Sequence, residues 1–259
     1  MNIVACVKQV PDTWAEKKLR PDTKTLDRES VDAVLNELDE YAVEEALRQQ
    51  EAHGGTVTIL TMGPAKALQT VRKALSMGAD AAVQVTDDGL AGSCAIGTAR
   101  VLAAAIGTLD ADLVIFGSEA TDARTGVVPA LVAAVLGRPQ LTLAAKVEVD
   151  GTTIRINRIT DTGYDVVEAQ LPAVVSVVEK TNEPRYPSFK GIMAAKSKPL
   201  TTLSLADLGI DPASVGGAGA TTEVREYADR PARGAGEIVT DGGDGAAKLA
   251  EFLHTRKFL

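Results

Sequence analysis

The sequence predicts an α/β protein built on a doubly wound, mostly parallel sheet, with an antiparallel extension and an extended C-terminal arm. Three observations predict it. Short apolar runs rich in β-branched residues alternate with helical patterns, the form that βαβ units take in a sequence. Asp150-Gly151 separates two alternating strand patterns, a hairpin signal. Nine of the 23 glycines fall between Leu208 and Gly245, where hydrophobic periodicity ends.

Residues 3–7 read as the first strand, and residues 37–50 follow as a helix. Leu38, Ala42 and Ala46, with Val43 and Leu47, recur at spacings of four to make one apolar stripe, and His53-Gly54-Gly55 stops it. Residues 56–62 are the second strand. Gly63-Pro64 turns into a helix ending near Met77, with Pro64 at a position where its missing N–H costs nothing and with Leu68, Val71 and Leu75 inward. A strand at 81–85, a helix at 91–106, a strand at 113–116 and a helix at 126–136 complete four βα units. Strands at 144–149, 153–158, 166–169 and 173–178 then suggest the antiparallel extension. A short helix at 246–252 closes an arm that lacks a core of its own and is expected to lie on another surface.

A chain of 259 residues buries roughly 70–75% of its unfolded surface, so a core needs neither disulfides nor a metal. Cys6 and Cys94 stand outside any C-x-x-C and read as reduced thiols. The net charge of −8 argues against general nucleic-acid binding. The N-terminal apolar run is far shorter than a signal peptide's and the run at 127–136 is too short to span a bilayer, so a soluble, cytoplasmic protein is expected. The two histidines, His53 and His254, fall in a helix stop and near the C-terminus, and the motifs of serine hydrolases, zinc proteases, P-loop proteins and dinucleotide-binding folds are missing. A His-dependent triad is therefore not expected, and Cys6, inside an apolar strand, reads as inert.

Ligands of open α/β sheets bind beyond the strand C-termini, where helix N-termini offer unpaired N–H groups. Two loops stand there. Thr61-Met62-Gly63-Pro64 is either a ligand loop or an ordinary βα turn. Phe116-Gly117-Ser118-Glu119-Ala120-Thr121-Asp122-Ala123-Arg124-Thr125-Gly126 is long for such a connection and combines hydroxyls, a cation and a helix start, which suits a sugar and one phosphate or, equally, a solvated loop. A third segment, residues 181–196, is stiffened by Pro184 and Pro187. It carries two of the nine aromatics, Tyr186 and Phe189, and gathers Arg185, Lys190, Lys196 and nearby Lys198 on an acidic chain. A rigid aromatic among cations suits an acidic partner surface, unless Phe189 packs into its own core.

VACVK at 4–8, NELDEYAVEEA at 36–46, Gly63-Pro64 with ALSMGAD at 74–80, LPAVV at 171–175 and, above all, residues 182–198 resemble the β subunit of electron transfer flavoprotein over essentially the whole chain. The resemblance implies an adenine-nucleotide-hydrolase-like fold over residues 1–190, then a recognition helix and an arm wrapping the partner subunit over 191–259. It implies an αβ heterodimer in which this subunit buries one AMP, while FAD is held mainly by the α subunit. The family's AMP contacts would fall on Cys6, on Asn36, Glu37, Leu38 and Asp39, on Met62, and on the loop from Gly117 through Ser118, Glu119, Ala120, Thr121, Asp122, Ala123 and Arg124 to Thr125. Glu119 and Asp122 beside one anion site would repel a polyphosphate, which favours a monophosphate.

The family's recognition loop falls on Pro187, Ser188, Phe189, Lys190, Gly191, Ile192, Met193, Ala194, Ala195 and Lys196. Phe189 stands where many members carry leucine. Ile159 follows Arg158 where the family usually has a glutamate that pairs with the flavin domain, and Trp14 and Leu38 lie near segments that approach the flavin, or are core. The implied function is a non-catalytic carrier in fatty acid oxidation: FAD takes electrons from acyl-CoA and other flavin dehydrogenases and passes them to a quinone oxidoreductase, with no nucleic acid and no membrane insertion. Two rivals are an adenine-nucleotide-binding regulatory module of the universal-stress type, which would not need the long tail, and an adenine-nucleotide-hydrolysing enzyme. The latter would show a Ser-Gly-Gly loop where this chain has Lys8-Gln9-Val10-Pro11-Asp12.

Overall fold

The structure, a computed structural model, describes residues 1–232, 234, 236 and 238–259. The described chain falls into two compact units, Met1–Arg225 and Glu226–Leu259. In the first, β1 (Asn2–Cys6) leads to a small antiparallel pair, β2 (Gln9–Pro11) and β3 (Ala33–Leu35), then α1 (Glu37–His53), β4 (Thr56–Met62), α2 (Leu68–Met77), β5 (Ala81–Val85), α3 (Ala95–Gly107), β6 (Leu113–Gly117) and α4 (Val128–Leu136). The chain continues through β7 (Gln140–Asp150), β8 (Thr153–Thr160), β9 (Gly163–Gln170), β10 (Ala173–Val177), α5 (Phe189–Ala195) and β11 (Leu200–Leu203). The second unit holds α6 (Gly245–Thr255), after which Arg256 stacks on the Phe252 ring.

Nine strands form one sheet in the order β11-β5-β4-β1-β6-β10-β7-β8-β9. Strands from β11 to β7 run parallel and β7-β8-β9 antiparallel, so the doubly wound sheet and its extension are both present. Two apolar layers sandwich it. α1 and α2 pack Val43, Leu47, Val71 and Leu75 on one face with Ile3, Ile59 and Ile115; α3 and α4 pack Leu102, Ile106 and Val132 on the other with Val4, Leu60 and Val114. Alternate residues of each parallel strand thus go to opposite layers, which is why these strands read as continuous apolar runs.

Several elements differ from the sequence expectation, among them the pair β2 and β3, which it did not place. Residues 173–177 join the parallel sheet between β6 and β7 rather than the antiparallel extension; all five are buried, as a strand covered on both faces must be. Residues 200–203, left by the sequence within the recognition helix and arm of 191–259, are the edge strand beside β5. The helix expected from residue 91 begins at Ala95, after a 3-10 turn at Asp88–Leu90 whose amide the Asp87 carboxylate caps. No helix among the described residues is long and apolar enough to cross a membrane.

Candidate functional site

The chain leaves β1 through α1 for β4 and β5 on one side, then crosses to β6 on the other. The sheet's switch point therefore lies between the C-terminal ends of β1 and β6. Open α/β sheets hold their ligands there, because the flanking loops diverge to opposite faces and leave a crevice.

The first turn of α1 is built into that crevice. Asn36 sits at the N-cap position and is fully buried, yet its side chain makes no cap bond. It reaches across to the loop after β6 instead: Nδ2 donates to the Glu119 carbonyl at 2.9 Å and Oδ1 accepts from the Thr121 N–H at 3.0 Å. Its backbone N–H donates to the Lys8 carbonyl at 3.0 Å. One asparagine thus ties three chain segments together with an amide and an N–H.

Asp39, one turn later, is also buried, and its Oδ2 accepts the Lys8 backbone N–H at 2.8 Å. Gly117 closes against the same turn. A Cβ there would lie 2.6 Å from Asp39 Oδ1 and 2.7 Å from the Leu38 carbonyl oxygen, so the strand end and the helix start approach to a distance only glycine permits. Burial pushes the Asp39 carboxyl up to about 7, against the lowering effect of hydrogen bonds from Asn36, Lys8 and Gly117. The same burial, with the Asp39 charge beside it, pushes the Cys6 thiol well up, which makes it inert as read.

The Asp39 value has a measurable consequence. Because the folded protein holds this proton more tightly than the unfolded chain does, ionising Asp39 costs nothing below about 3.9, its value when unfolded, and costs most above about 7. Its contribution to stability therefore falls as pH rises through that window. The melting temperature of Asp39→Asn relative to wild type is expected to climb between pH 5 and pH 8. A difference that stays flat would mean the carboxylate is ionised throughout.

Asp122 behaves in the opposite way. Burial opposes its ionisation, but Lys8 Nζ at 2.8 Å and Arg28 Nη2 at 2.5 Å hold its carboxyl below the usual range. Arg124 pairs with Glu119 at 2.6 Å. Both carboxylates of the loop are therefore paired with cations, Asp122 with two of them and Glu119 with one. The expectation that these acids repel a polyphosphate is corrected: their charges are spent on cations inside the protein. Thr121 Oγ1 is left buried without a hydrogen-bond partner, an unsatisfied hydroxyl in the loop itself.

The predicted nucleotide residues are thus largely brought together. Asn36, Leu38, Asp39 and residues 117–122 share the crevice, with Ser118 buried at the end of β6, while Cys6 ends β1 with its side chain in the α3–α4 layer. Glu37 is exposed. Met62 lies one strand away, its side chain packed on the α3–α4 layer. Ala123, Arg124 and Thr125 form an exposed turn in which Arg124 takes a left-handed φ of 62°. Lys8 and Arg28 escaped the sequence reading. Lys8 carried a usable signal, being the first polar residue after an apolar strand; Arg28 lies in an irregular segment with none.

The second predicted site is α5, capped by Ser188 Oγ, which accepts the Gly191 N–H at 3.0 Å. The helix lies on α2 through buried Ala195 and through Gly191, where any added Cβ would run into the Ser76 carbonyl. Phe189 is 81% and Tyr186 94% exposed, with Ile192 and Met193 half exposed beside them. The ring is not tucked into the core. The cation cluster is smaller than expected, because Arg185 is paired with Glu44 and Glu51 and Lys198 Nζ donates to the Leu75, Gly78 and Ala79 carbonyls at the end of α2. Lys190 and Lys196 are the cations of residues 185–198 whose side chains make neither an ion pair nor a hydrogen bond among the described residues. Trp14 is 94% exposed and so is not core, Leu38 is half-buried, and Arg158 Nε donates to the Thr142 carbonyl at 3.0 Å.

Comparison with known proteins agrees over the full length. A family model described as "Electron transfer flavoprotein domain" matches residues 23–208. The "Electron transfer flavoprotein subunit beta" of Mycobacterium leprae is 52% identical over 264 aligned positions, spanning 100% of this chain and 99% of the relative. Its namesake from Clostridium acetobutylicum is 39% identical over 92% of both chains. The "Caffeyl-CoA reductase-Etf complex subunit CarD" of Acetobacterium woodii is 37% identical over 93% of this chain and 92% of the relative.

Proposed function

The chain belongs to the electron transfer flavoprotein family as a β subunit, and from that premise we propose that it binds one AMP structurally at the switch point. In the same reading it pairs with an α subunit that holds most of the FAD, and it presents α5 to acyl-CoA and other flavin dehydrogenases in the cytoplasm, with a quinone oxidoreductase as the electron acceptor.

The observation that carries the nucleotide reading is the joining of Asn36 and Asp39 to the 117–122 loop around an unpartnered Thr121 hydroxyl, in a crevice where two cations, Lys8 and Arg28, share Asp122. A ribose or phosphate oxygen would satisfy that hydroxyl, and the Lys8 and Arg28 cations lie beside it. One AMP has the right parts, an apolar base for the Cys6 end and one anion for the cationic side. The choice of a monophosphate rests on the family resemblance, since the loop acids are already paired with cations.

FAD, when bound, supplies all of the redox chemistry, and the residues of this chain hold, orient and shield. None of the crevice groups is arranged as an acid–base pair: Asp39 hydrogen-bonds to backbone and Asp122 is locked between two cations. Docking is carried by the exposed Tyr186, Phe189, Ile192 and Met193 with Lys190 and Lys196 at the rim, the apolar centre and charged edge that protein interfaces share.

The test is co-expression with the cognate α subunit. The expected product is a yellow complex with flavin absorbance and one equivalent of AMP on extraction. A colourless monomer that binds ATP would place the chain with the regulatory modules, and nucleotide turnover would place it with the hydrolases.

A further inference from the structure

We propose that Arg185 is a positioning residue for docking: by gripping Glu44 and Glu51 on α1 it fixes the pose in which α5 offers its apolar side chains to a partner. The inference rests on the docking reading above and adds to it the device that holds the surface in place.

α5 cannot hold itself. A seven-residue helix is far too short to persist alone. It also buries little to anchor it, since Phe189, Ile192 and Met193 face solvent and Ala195 is its one buried side chain. The segment leading into it is no better secured by its backbone. Among the described residues, no backbone–backbone hydrogen bond ties residues 182–187 to the sheet or the helices. The C-terminal side of α5 is held by Arg72 Nη1, which donates to the Ala195 carbonyl, and by the pairing of the following residues with β5; its N-terminal side has side-chain anchors alone.

At the far end Lys198 holds the α2 terminus through three carbonyls. At the near end the anchor is Arg185. Its Nε donates to Glu44 Oε2 at 2.7 Å, Nη1 to Glu51 Oε1 at 2.6 Å, and Nη2 to Glu44 Oε1 at 3.1 Å and to Glu51 Oε2 at 3.3 Å. The Arg185 backbone N–H also donates to Glu44 Oε2, at 3.1 Å. One residue thus presents both its main chain and its guanidinium to the same carboxylate. The Glu44 side chain is only 4% exposed, and Arg48 Nε satisfies it from the other side at 2.8 Å. Such a planar, multidentate grip defines orientation as well as distance, which a lysine could not do. Just upstream, Asn182 Nδ2 donates to the Tyr41 carbonyl and to Glu45, both at 3.1 Å, on the same face of α1.

A salt bridge of this kind could serve stability alone, so the test needs a readout that stability does not move. The purified two-subunit complex is assayed as substrate of a flavin dehydrogenase that reduces the wild type. Arg185→Gln is expected to raise KM for the carrier about tenfold, with kcat within about twofold, because an unfixed segment must be ordered on binding. Flavin content, AMP content and the rate of reduction by dithionite should not change. Amide exchange at residues 186–196 should quicken while α2 keeps its protection. Glu44→Gln on the Arg185→Gln background should add little, since both remove one contact.

Arg185→Lys and Glu51→Gln are milder changes that keep the test open if Arg185→Gln fails to assemble. Each is expected to raise KM about threefold. Wild-type KM for these variants, with Phe189→Ala still impairing docking, would overturn the positioning role and leave the docking surface intact. Wild-type KM for Phe189→Ala as well would remove the docking reading and this inference with it.

Discussion

Gly117→Ala is expected to lower stability by about 3 kcal/mol or more and to strip the complex of its nucleotide. The added methyl would stand 2.6 Å from Asp39 Oδ1 and 2.7 Å from both the carbonyl carbon and the carbonyl oxygen of Leu38. Two of those three atoms are backbone in the first turn of α1, so no side-chain rotation relieves the contact. Either β6 or the helix start has to move, and Asn36 then loses its reach to Glu119 and Thr121. Thermal unfolding of the complex and extraction of bound nucleotide measure both effects.

Gly137→Ala is the control. Gly137 has a left-handed φ of 65°, and an added Cβ would meet nothing within 4 Å. It should cost about 1 kcal/mol and leave the nucleotide in place. If Gly117→Ala matched that mild behaviour, the close approach of strand and helix would not be what shapes the crevice.

Phe189→Ala is expected to do the reverse: nothing to the fold, much to the partner. A side chain that is 81% exposed contributes little to its own core, so the melting temperature should be nearly that of the wild type. As an aromatic anchor at the centre of an apolar patch it should carry about 2 kcal/mol of docking, a rise of roughly thirtyfold in KM for a dehydrogenase. FAD and AMP content should stay at wild-type levels. Flavin loss in step with docking loss would mean that the residue supports the complex itself.

Much of this was legible in the chain. Residues 56–62 and 81–85 fall where the apolar runs put them, and α1 begins at Glu37 as its stripe of spacing four requires. Residues 200–203 were not legible, because four residues with two threonines carry too little pattern to distinguish an edge strand from a loop. Residues 173–177 were read as a strand but placed in the wrong part of the sheet. Their unbroken apolar run marks burial on both faces, yet it names no neighbours.

The crevice divides in the same way. The residues of the 117–125 loop could be named from their place after a strand and before a helix, and those of the α1 start from the family likeness. What could not be read was the charge of the site, since Arg28 meets Asp122 across 94 residues of chain. The same holds for the grip on the recognition segment, in which Arg185 meets Glu44 across 141. A reading of Arg185, Lys190, Lys196 and Lys198 as one concentration of positive charge was reasonable locally, but the fold takes Arg185 and Lys198 out of it.

Strand and helix periods, turn residues and the family likeness are carried by neighbours along the chain, so they survive without coordinates. Ion pairing and close backbone approach depend on which distant segments the topology brings within a few ångströms, away from water. That proximity is what turned Asp122 from a repelling charge into a strut paired with two cations, and Arg185 from a docking cation into an internal anchor.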